Sequence, residues 1–233
     1  MSATDHPTQQ SDDSPLFIEQ IEIGPMQNFT YVIGSNTTRE VALVDPAWNV
    51  DELLKHVEEQ GYTPVAALIT HYHPDHCGGS MRRQQIDGVA ELIAQRDLKV
   101  YIHKEEAKGL KRVTGLSDSD MVKVSSGDRL DIGEIDVEFL HTPGHTPGSQ
   151  CFRIRNTLVS GDTLFVQGCG RVDLPGSNPD QMYESLKQLA SLPDDTVLLP
   201  GHNYSHVPRA TMGETKASNG YLTVPSLEAW QQM

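Results

Sequence analysis

The stretch THYHPDHCGG, residues 70–79, gathers His71, His73, Asp75 and His76 inside six positions. Residues two apart point to opposite sides of a helix but share a side of an extended segment, so His71 and His73 can grip one ion only from a strand end or a loop. The apolar run AALIT, residues 66–70, reads as a buried strand, and Pro74 disfavours helix at His73. Pro74 then turns the chain so that Asp75 and His76 face a neighbouring position, while Gly78 and Gly79 permit tight backbone passage beyond. One loop is thus able to serve two metal ions. Clustered histidines can also be solvated loop residues. Three of them with an aspartate at these spacings would, however, be a costly concentration of desolvated polar groups without an ion.

A catalytic ion wants several ligands and an open position, and imidazole nitrogen with carboxylate oxygen suits Zn, Fe or Mn. Three later segments offer the same donors: HTPGHTPGS (141–149) holds His141 and His145, SGDTLF (160–165) holds Asp162, and LLPGHNYS (198–205) holds His202. Each candidate lies at or just past an expected strand end, where loops carried by a rigid sheet converge. His141 sits within the strand pattern itself, as suits a residue that packs or supports a ligand, whereas His145 follows Gly144 in the turn proper. Taken singly, a histidine among Pro-Gly pairs or an aspartate after Ser-Gly is also an ordinary turn or cap residue.

Around these loops strands and helices alternate. LFIEQIEI (16–23), TYVIG (30–34) and VALVD (41–45) are short strand-like runs separated by turn formers. Asn49 stands three positions before Glu52 as in a capping box, and Val50, Leu53, Leu54 and Val57 give one helical stripe that ends at Gly61. Residues 80–98 read as holding a helix, KVYIH (99–103) as a strand and KEEAKGL (104–110) as the start of another helix. IDVEFLHT, SQCFRI and TLVSGD, within 135–162, read as antiparallel strands. Asn178 and Pro179 then open a helix that turns Met182, Leu186 and Leu189 inward, and DTVLLP (195–200) is a further buried strand. Each half therefore runs from several strands, through a helix, to a strand whose exit loop carries histidine.

The 233 residues suit one domain, expected over 16–222, with a disordered tail over 1–15 and a short tail over 223–233. Eighteen Lys and Arg against 32 Asp and Glu give a formal net charge of −14, which repels phosphate backbones and argues against nucleic acid. No stretch approaches the roughly 20 apolar residues of a membrane span. The three cysteines Cys77, Cys151 and Cys169 are an odd count, and the opening MSATDHPTQQSDDSP lacks an apolar run or basic start. The expectation is a cytoplasmic chain without disulfides.

HxHxDH at 71–76, PGH at 143–145, GD at 161–162 and the late GH at 201–202, in this order, resemble the metallo-β-lactamase superfamily across residues 16–222. The resemblance implies an α/β fold, a four-layer αββα sandwich of two mixed sheets. It also implies two divalent metal ions, Zn with Fe or Mn as alternatives. The first would be held by His71, His73 and His145, the second by Asp75, His76 and His202, with Asp162 bridging. VDP at 44–46 matches too, implying that Asp45 is a buried carboxylate behind the ligands; alone it reads as a turn residue before Pro46.

GCGRVDLPG (168–176), PDDTVLLPGHNY (193–204) and ETKASNGYL (214–222) resemble, within that superfamily, the glyoxalase II (hydroxyacylglutathione hydrolase) and persulfide dioxygenase branches. By that likeness Arg171 would receive a carboxylate of glutathione and Tyr204 would line the thiol site. Read alone, Arg171 pairs equally well with Asp173, and Tyr204 packs. One departure is visible: long-type glyoxalase II enzymes add a helical region with basic glutathione contacts, whereas residues 215–233 contain one Lys and no Arg.

The activity so implied is glyoxalase II-like hydrolysis of a small thioester, possible substrates being thiol conjugates such as a glutathione thioester. A metal-bridging hydroxide would attack the carbonyl with Asp75 orienting it. A thiolate, with a pKa of about 8.5, leaves without a dedicated acid, whereas a lactone asks for proton delivery. The alternatives are a mononuclear Fe(II) persulfide dioxygenase, a lactonase, or a non-catalytic metal-binding protein of the same fold. The last would be expected to have lost ligands, and none is missing. Flavodiiron oxygen reductases resemble HxExDH, and position 73 is His.

Overall fold

The computed structural model describes residues 14–81 and 83–233, so the tail expected over 1–15 lies outside the described residues except for Ser14 and Pro15. The first half runs through β1 (Leu16–Ile23), β2 (Asn28–Ser35), β3 (Glu40–Val44), α1 (Val50–Glu59), β4 (Thr63–Leu68) and the single turn α2 (Pro74–Cys77). The antiparallel pair β5 (Gly79–Met81) and β6 (Gln84–Ile86) follows, then α3 (Val89–Gln95), β7 (Lys99–His103), α4 (Ala107–Thr114) and β8 (Met121–Val124). The second half runs through β9 (Arg129–Ile132), β10 (Ile135–His141), β11 (Gln150–Ile154), β12 (Thr157–Gly161), α5 (Pro179–Ala190), β13 (Val197–Pro200), β14 (Ala210–Thr211), α6 (Met212–Ser218) and α7 (Leu227–Trp230).

Side-chain alternation turns these strands into layers. Phe29, Tyr31 and Ile33 of β2 enter one core with Val137, Phe139, Phe152 and Leu199, while Val32 between them faces the opposite way. In β3, Ala42 and Val44 join that inter-sheet core, and Val41 and Leu43 face the helices. Burial on both faces is why VALV and AALI carry no polar alternation. The α1 stripe of Val50, Leu53, Leu54 and Val57 covers the outer face of the first sheet together with Leu92 and Leu110. Met182, Leu186 and Leu189 of α5 cover the outer face of the second with Met212 and Trp230. The result is α, β, β, α.

Both sheets are mixed, as expected. The first is ordered β1-β2-β3-β4-β7-β8, antiparallel across β1, β2 and β3 and parallel from β3 to β8. The second is ordered β14-β13-β12-β11-β10-β9 with β12 and β13 as its parallel pair. Those parallel steps, β3 to β4 over α1 and β12 to β13 over α5, end in the loops that carry His71 and His202.

One local expectation changes and two gain detail. Asn49 makes no side-chain cap; instead Asp87 Oδ2 accepts the Val50 N–H at 2.7 Å, a partner from a distant turn that sequence spacing cannot reveal. Residues 80–98 hold the expected helix as α3, and before it the end of β5 and all of β6, which go unseen in the sequence because GSM and QQI are too short and polar to show a period. The short tail expected over 223–233 includes α7. Ser226 caps α7, and Trp230 is buried against Tyr183 and Tyr221 with its Nε1–H donating to Pro179 O at 2.8 Å. No helix among the described residues is long and apolar enough to cross a membrane.

Candidate metal centre

His73 is extended (φ −67°, ψ 139°), with Pro74 opening α2 directly behind it, so His71 and His73 leave β4 as neighbours on one side of the chain. His71 Nε2 lies 3.0 Å from His73 Nδ1, and His145 Nε2, from the turn after β10, lies 3.0 Å from that same Nδ1. The turn α2 then carries Asp75 and His76 toward the exit of β13, where His76 Nε2 is 3.1 Å from His202 Nε2. Asp75 Oδ2 is 3.6 Å from His202 Nε2. Asp162, the residue after β12, faces both groups: Oδ2 is 3.6 Å from His145 Nε2, and Oδ1 is 3.4 Å from both His76 and His202 Nε2. All seven expected ligands are therefore brought together, in three overlapping sets whose donor atoms lie within 4.8 Å of one another.

The far nitrogen of four rings is fixed by an oxygen. His145 Nδ1 lies 2.8 Å from Arg171 O, His202 Nδ1 3.0 Å from Met26 O, and His76 Nδ1 2.9 Å from Asp45 Oδ2. His71 Nδ1 is 3.0 Å from the Thr70 hydroxyl, which itself donates to Asp45 Oδ2 at 2.6 Å. A proton held on Nδ1 leaves the Nε2 lone pair facing the centre, the tautomer a metal ligand needs. His73 is reversed and presents Nδ1.

These residues fit divalent cations on their own hydrogen-bonding arithmetic. With His71 and His145 protonated on Nδ1, a single proton on His73 Nδ1 cannot satisfy two Nε2 acceptors. Asp162 Oδ1 is buried and has no hydrogen-bond donor among the described residues. Burial first, and then the neighbouring histidines, hold His71 well below the usual imidazole range, and His73 is lowered the same way to about 4. Burial opposes charge on His76 too, but Asp162, Asp75 and Asp45 outweigh it and push the ring up to about 10. Against the cost of burial, His76 and His202 hold the Asp162 carboxyl well below its ordinary value. Seven nitrogen and carboxylate donors and an orphaned oxygen are the complement of positive charge. Gly201 is required by the same crowding, since a Cβ there would stand 2.5 Å from Asp162 Oδ1.

The supporting residues divide. Asp45 takes the Thr70 N–H at 2.8 Å as well as the contacts above, so it lies behind both loop and ligand. His141 touches none of the ligands through its ring: it stacks on His103 at 3.8 Å and pairs with Pro147 O. Arg171 forms an exposed two-pronged pair with Asp173, at 2.9 and 2.8 Å, although its backbone oxygen holds His145. Tyr204 lies flat on His202, centroids 4.5 Å apart, and is half exposed at the rim. Sequence reasoning missed Asn28, which donates from Nδ2 to Asp75 Oδ2 at 3.0 Å, and Trp48, whose Nε1–H reaches Asp75 O at 3.1 Å. Both precede the histidine loop by more than 20 residues, and nothing in QNF or AWN marks them.

Known proteins resemble this chain in sequence and in fold. The metallo-beta-lactamase superfamily pattern matches residues 23–202. "Probable metallo-hydrolase YqgX" of Bacillus subtilis is 32% identical over 198 residues, covering 78% of this chain and 88% of that protein. A hydroxyacylglutathione hydrolase of Xanthomonas campestris is 35% identical over 178 residues, 76% of this chain but only 62% of that longer enzyme. Among solved structures, ETHE1 from Myxococcus xanthus aligns with a TM-score of 0.78 at 30% identity, over 92% of this chain and 88% of the other. By the matched pattern, the sheet architecture and these relatives, the chain belongs to the metallo-β-lactamase superfamily and fits its glyoxalase II and persulfide dioxygenase branch.

Proposed function

We propose that this protein is a metal-dependent hydrolase of a small thioester, in the manner of glyoxalase II. The observation that carries the reading is the placement of Asp162, one oxygen toward His145 and the other toward His76 and His202. A donor set divided in that way suits two divalent cations, Zn with Fe or Mn as alternatives: one at His71, His73 and His145, the other at Asp75, His76 and His202. Bound there, the cations would supply polarisation of the carbonyl and a water acidified to near neutral pH.

The chain's own residues do the rest. Asp75, fixed through Oδ2 by the Asn28 amide, is placed to orient the attacking water and accept its proton. The Tyr204 face forms a wall beside His202 on which a thiol-bearing substrate can rest. A substrate carboxylate would compete with Asp173 for the planar fork of Arg171, and an exposed pair yields readily to such exchange. Sulfur suits this site as leaving group, since a thiolate needs no dedicated acid.

A second reading, a persulfide dioxygenase with one Fe(II), is supported by the likeness to ETHE1. That reading would hold its iron by two His and one carboxylate rather than by the three imidazoles of the first position, and the two readings part on oxygen and stoichiometry. Protein purified without added metal should carry two equivalents, and should cleave a hydroxyacyl thioester anaerobically until a chelator is added. One equivalent of iron, O₂ uptake with a persulfide and no thioester cleavage would reverse the choice.

A further inference from the structure

Glu106, the residue before α4, is completely buried. Its Oε2 accepts the Tyr72 N–H at 2.8 Å, and its Oε1 accepts the Gly148 N–H at 2.7 Å. Tyr72 stands between His71 and His73, and Gly148 stands three residues after His145. One carboxylate thus ties together the two loops that supply the first trio of imidazoles. It is itself anchored through its own backbone, N–H to His103 O at 2.9 Å and C=O to the Leu110 N–H at 2.9 Å. The contact also explains the second glycine of HTPGHTPGS: a Cβ on Gly148 would stand 2.7 Å from Glu106 Cγ and from its backbone nitrogen.

Burying a carboxylate is expensive unless charge-assisted hydrogen bonds satisfy it. Burial does raise the Glu106 pKa, while the Gly148 and Tyr72 N–H groups and the Thr146 hydroxyl pull it down. A glutamine of equal size would not serve, because its carbonyl can accept one N–H while its amide NH₂ would be aimed at the other donor. The symmetric pair of acceptors is what both loops require.

We propose that Glu106 is a positioning residue for the first metal position, locking the His71–His73 loop to the His145 turn and so setting the spacing of the three rings. The proposal rests on the metal-binding part of the function proposed above but not on the reaction. It is tested on the full chain by comparing wild type with Glu106→Gln and Gly148→Ala. The measurements are Zn affinity by competition with a chromophoric chelator, the visible spectrum of the Co(II)-loaded protein, and circular dichroism of the metal-free forms. The expected result is a folded Glu106→Gln protein in which one of two equivalents binds about 10- to 100-fold more weakly. The cobalt spectrum should change with it, and the other equivalent should stay near wild type. Gly148→Ala should give the same signature from the opposite side of the contact. Wild-type affinity and spectrum in folded Glu106→Gln would overturn the proposal alone, whereas wild type that binds no metal would overturn the metal-site reading and this with it. Failure of both variants to fold would assign Glu106 to the fold and equally overturn the positioning role.

Discussion

Asp45 Oδ2 lies 2.9 Å from His76 Nδ1 across 31 positions of sequence. The same carboxylate receives both the Thr70 hydroxyl, at 2.6 Å, and the Thr70 N–H, at 2.8 Å. Asp45 adopts left-handed backbone (φ 48°), which aspartate tolerates better than most residues. Its side chain thereby fixes both the start of the histidine loop and the tautomer of His76 through three contacts of one carboxylate.

Asp45→Asn should keep the fold, since asparagine also accepts the left-handed conformation. It replaces one acceptor oxygen with a donor facing the Thr70 hydroxyl, the Thr70 N–H or His76. Affinity for the second metal should fall about 10- to 100-fold, read by chelator competition. Unchanged affinity would mean that His76 keeps its tautomer without Asp45.

Asp162→Asn and His202→Ala should differ in stoichiometry. Asp162 faces both donor groups, whereas His202 belongs with Asp75 and His76. Metal analysis after desalting should find both equivalents depleted in Asp162→Asn and one retained in His202→Ala. Equal depletion in the two variants would contradict a bridging Asp162.

What the sequence disclosed and what it hid follow from how far each interaction reaches along the chain. The seven gathered His and Asp donors were legible because donor chemistry is printed in residue type, and strand-exit loops are marked locally by Pro and Gly. Strands such as VALV were legible because burial on both faces leaves an unbroken apolar run. Asn28, Asp87 and Glu106 were not, because each acts on a partner at least 34 residues away and carries no local signature. The role of Asp45 came through resemblance, not spacing, and read alone it was a turn residue.

Trp230→Ala should destabilise the protein by about 3 kcal/mol, measured by urea unfolding. The indole covers Tyr183 and donates to Pro179 O, at the start of α5. The neighbouring Asn178 N–H donates to Gly144 O at 2.8 Å, so loosening this end should also reach the turn of His145 and lower metal affinity. A variant as stable as wild type would show that the packing of Trp230 contributes nothing to the fold.

Burial first, and then the Asp162 and Asp75 carboxylates, push the Tyr204 phenol up to about 12. It therefore stays a neutral donor across the working range. If Tyr204 lines the substrate site as the proposed function has it, Tyr204→Phe keeps the stack on His202 and removes a hydroxyl placed to donate to substrate, so KM should rise about fivefold while the shape of the pH–rate profile stays the same. A basic limb that vanishes in Tyr204→Phe would show that the phenol ionises during turnover.

The stacked pair of His103 and His141 gives a pH dependence separate from the metal residues. Burial, aided by His141 and Lys104, lowers the His103 pKa to about 4, against about 6.5 in an unfolded chain. Between those values the unfolded chain binds a proton that the folded protein does not, so stability rises with pH across the window. The contribution is complete above about pH 6.5 and is lost as pH falls toward 4. His71 and His73 are depressed as well, so metal-free wild type alone cannot separate the sources. His103→Phe can, because phenylalanine preserves a ring against His141 and removes the titration. Urea unfolding of the two metal-free proteins from pH 4 to 7 should give a shallower slope for the variant. Parallel slopes would show that His103 titrates in the folded protein as it does in the unfolded chain.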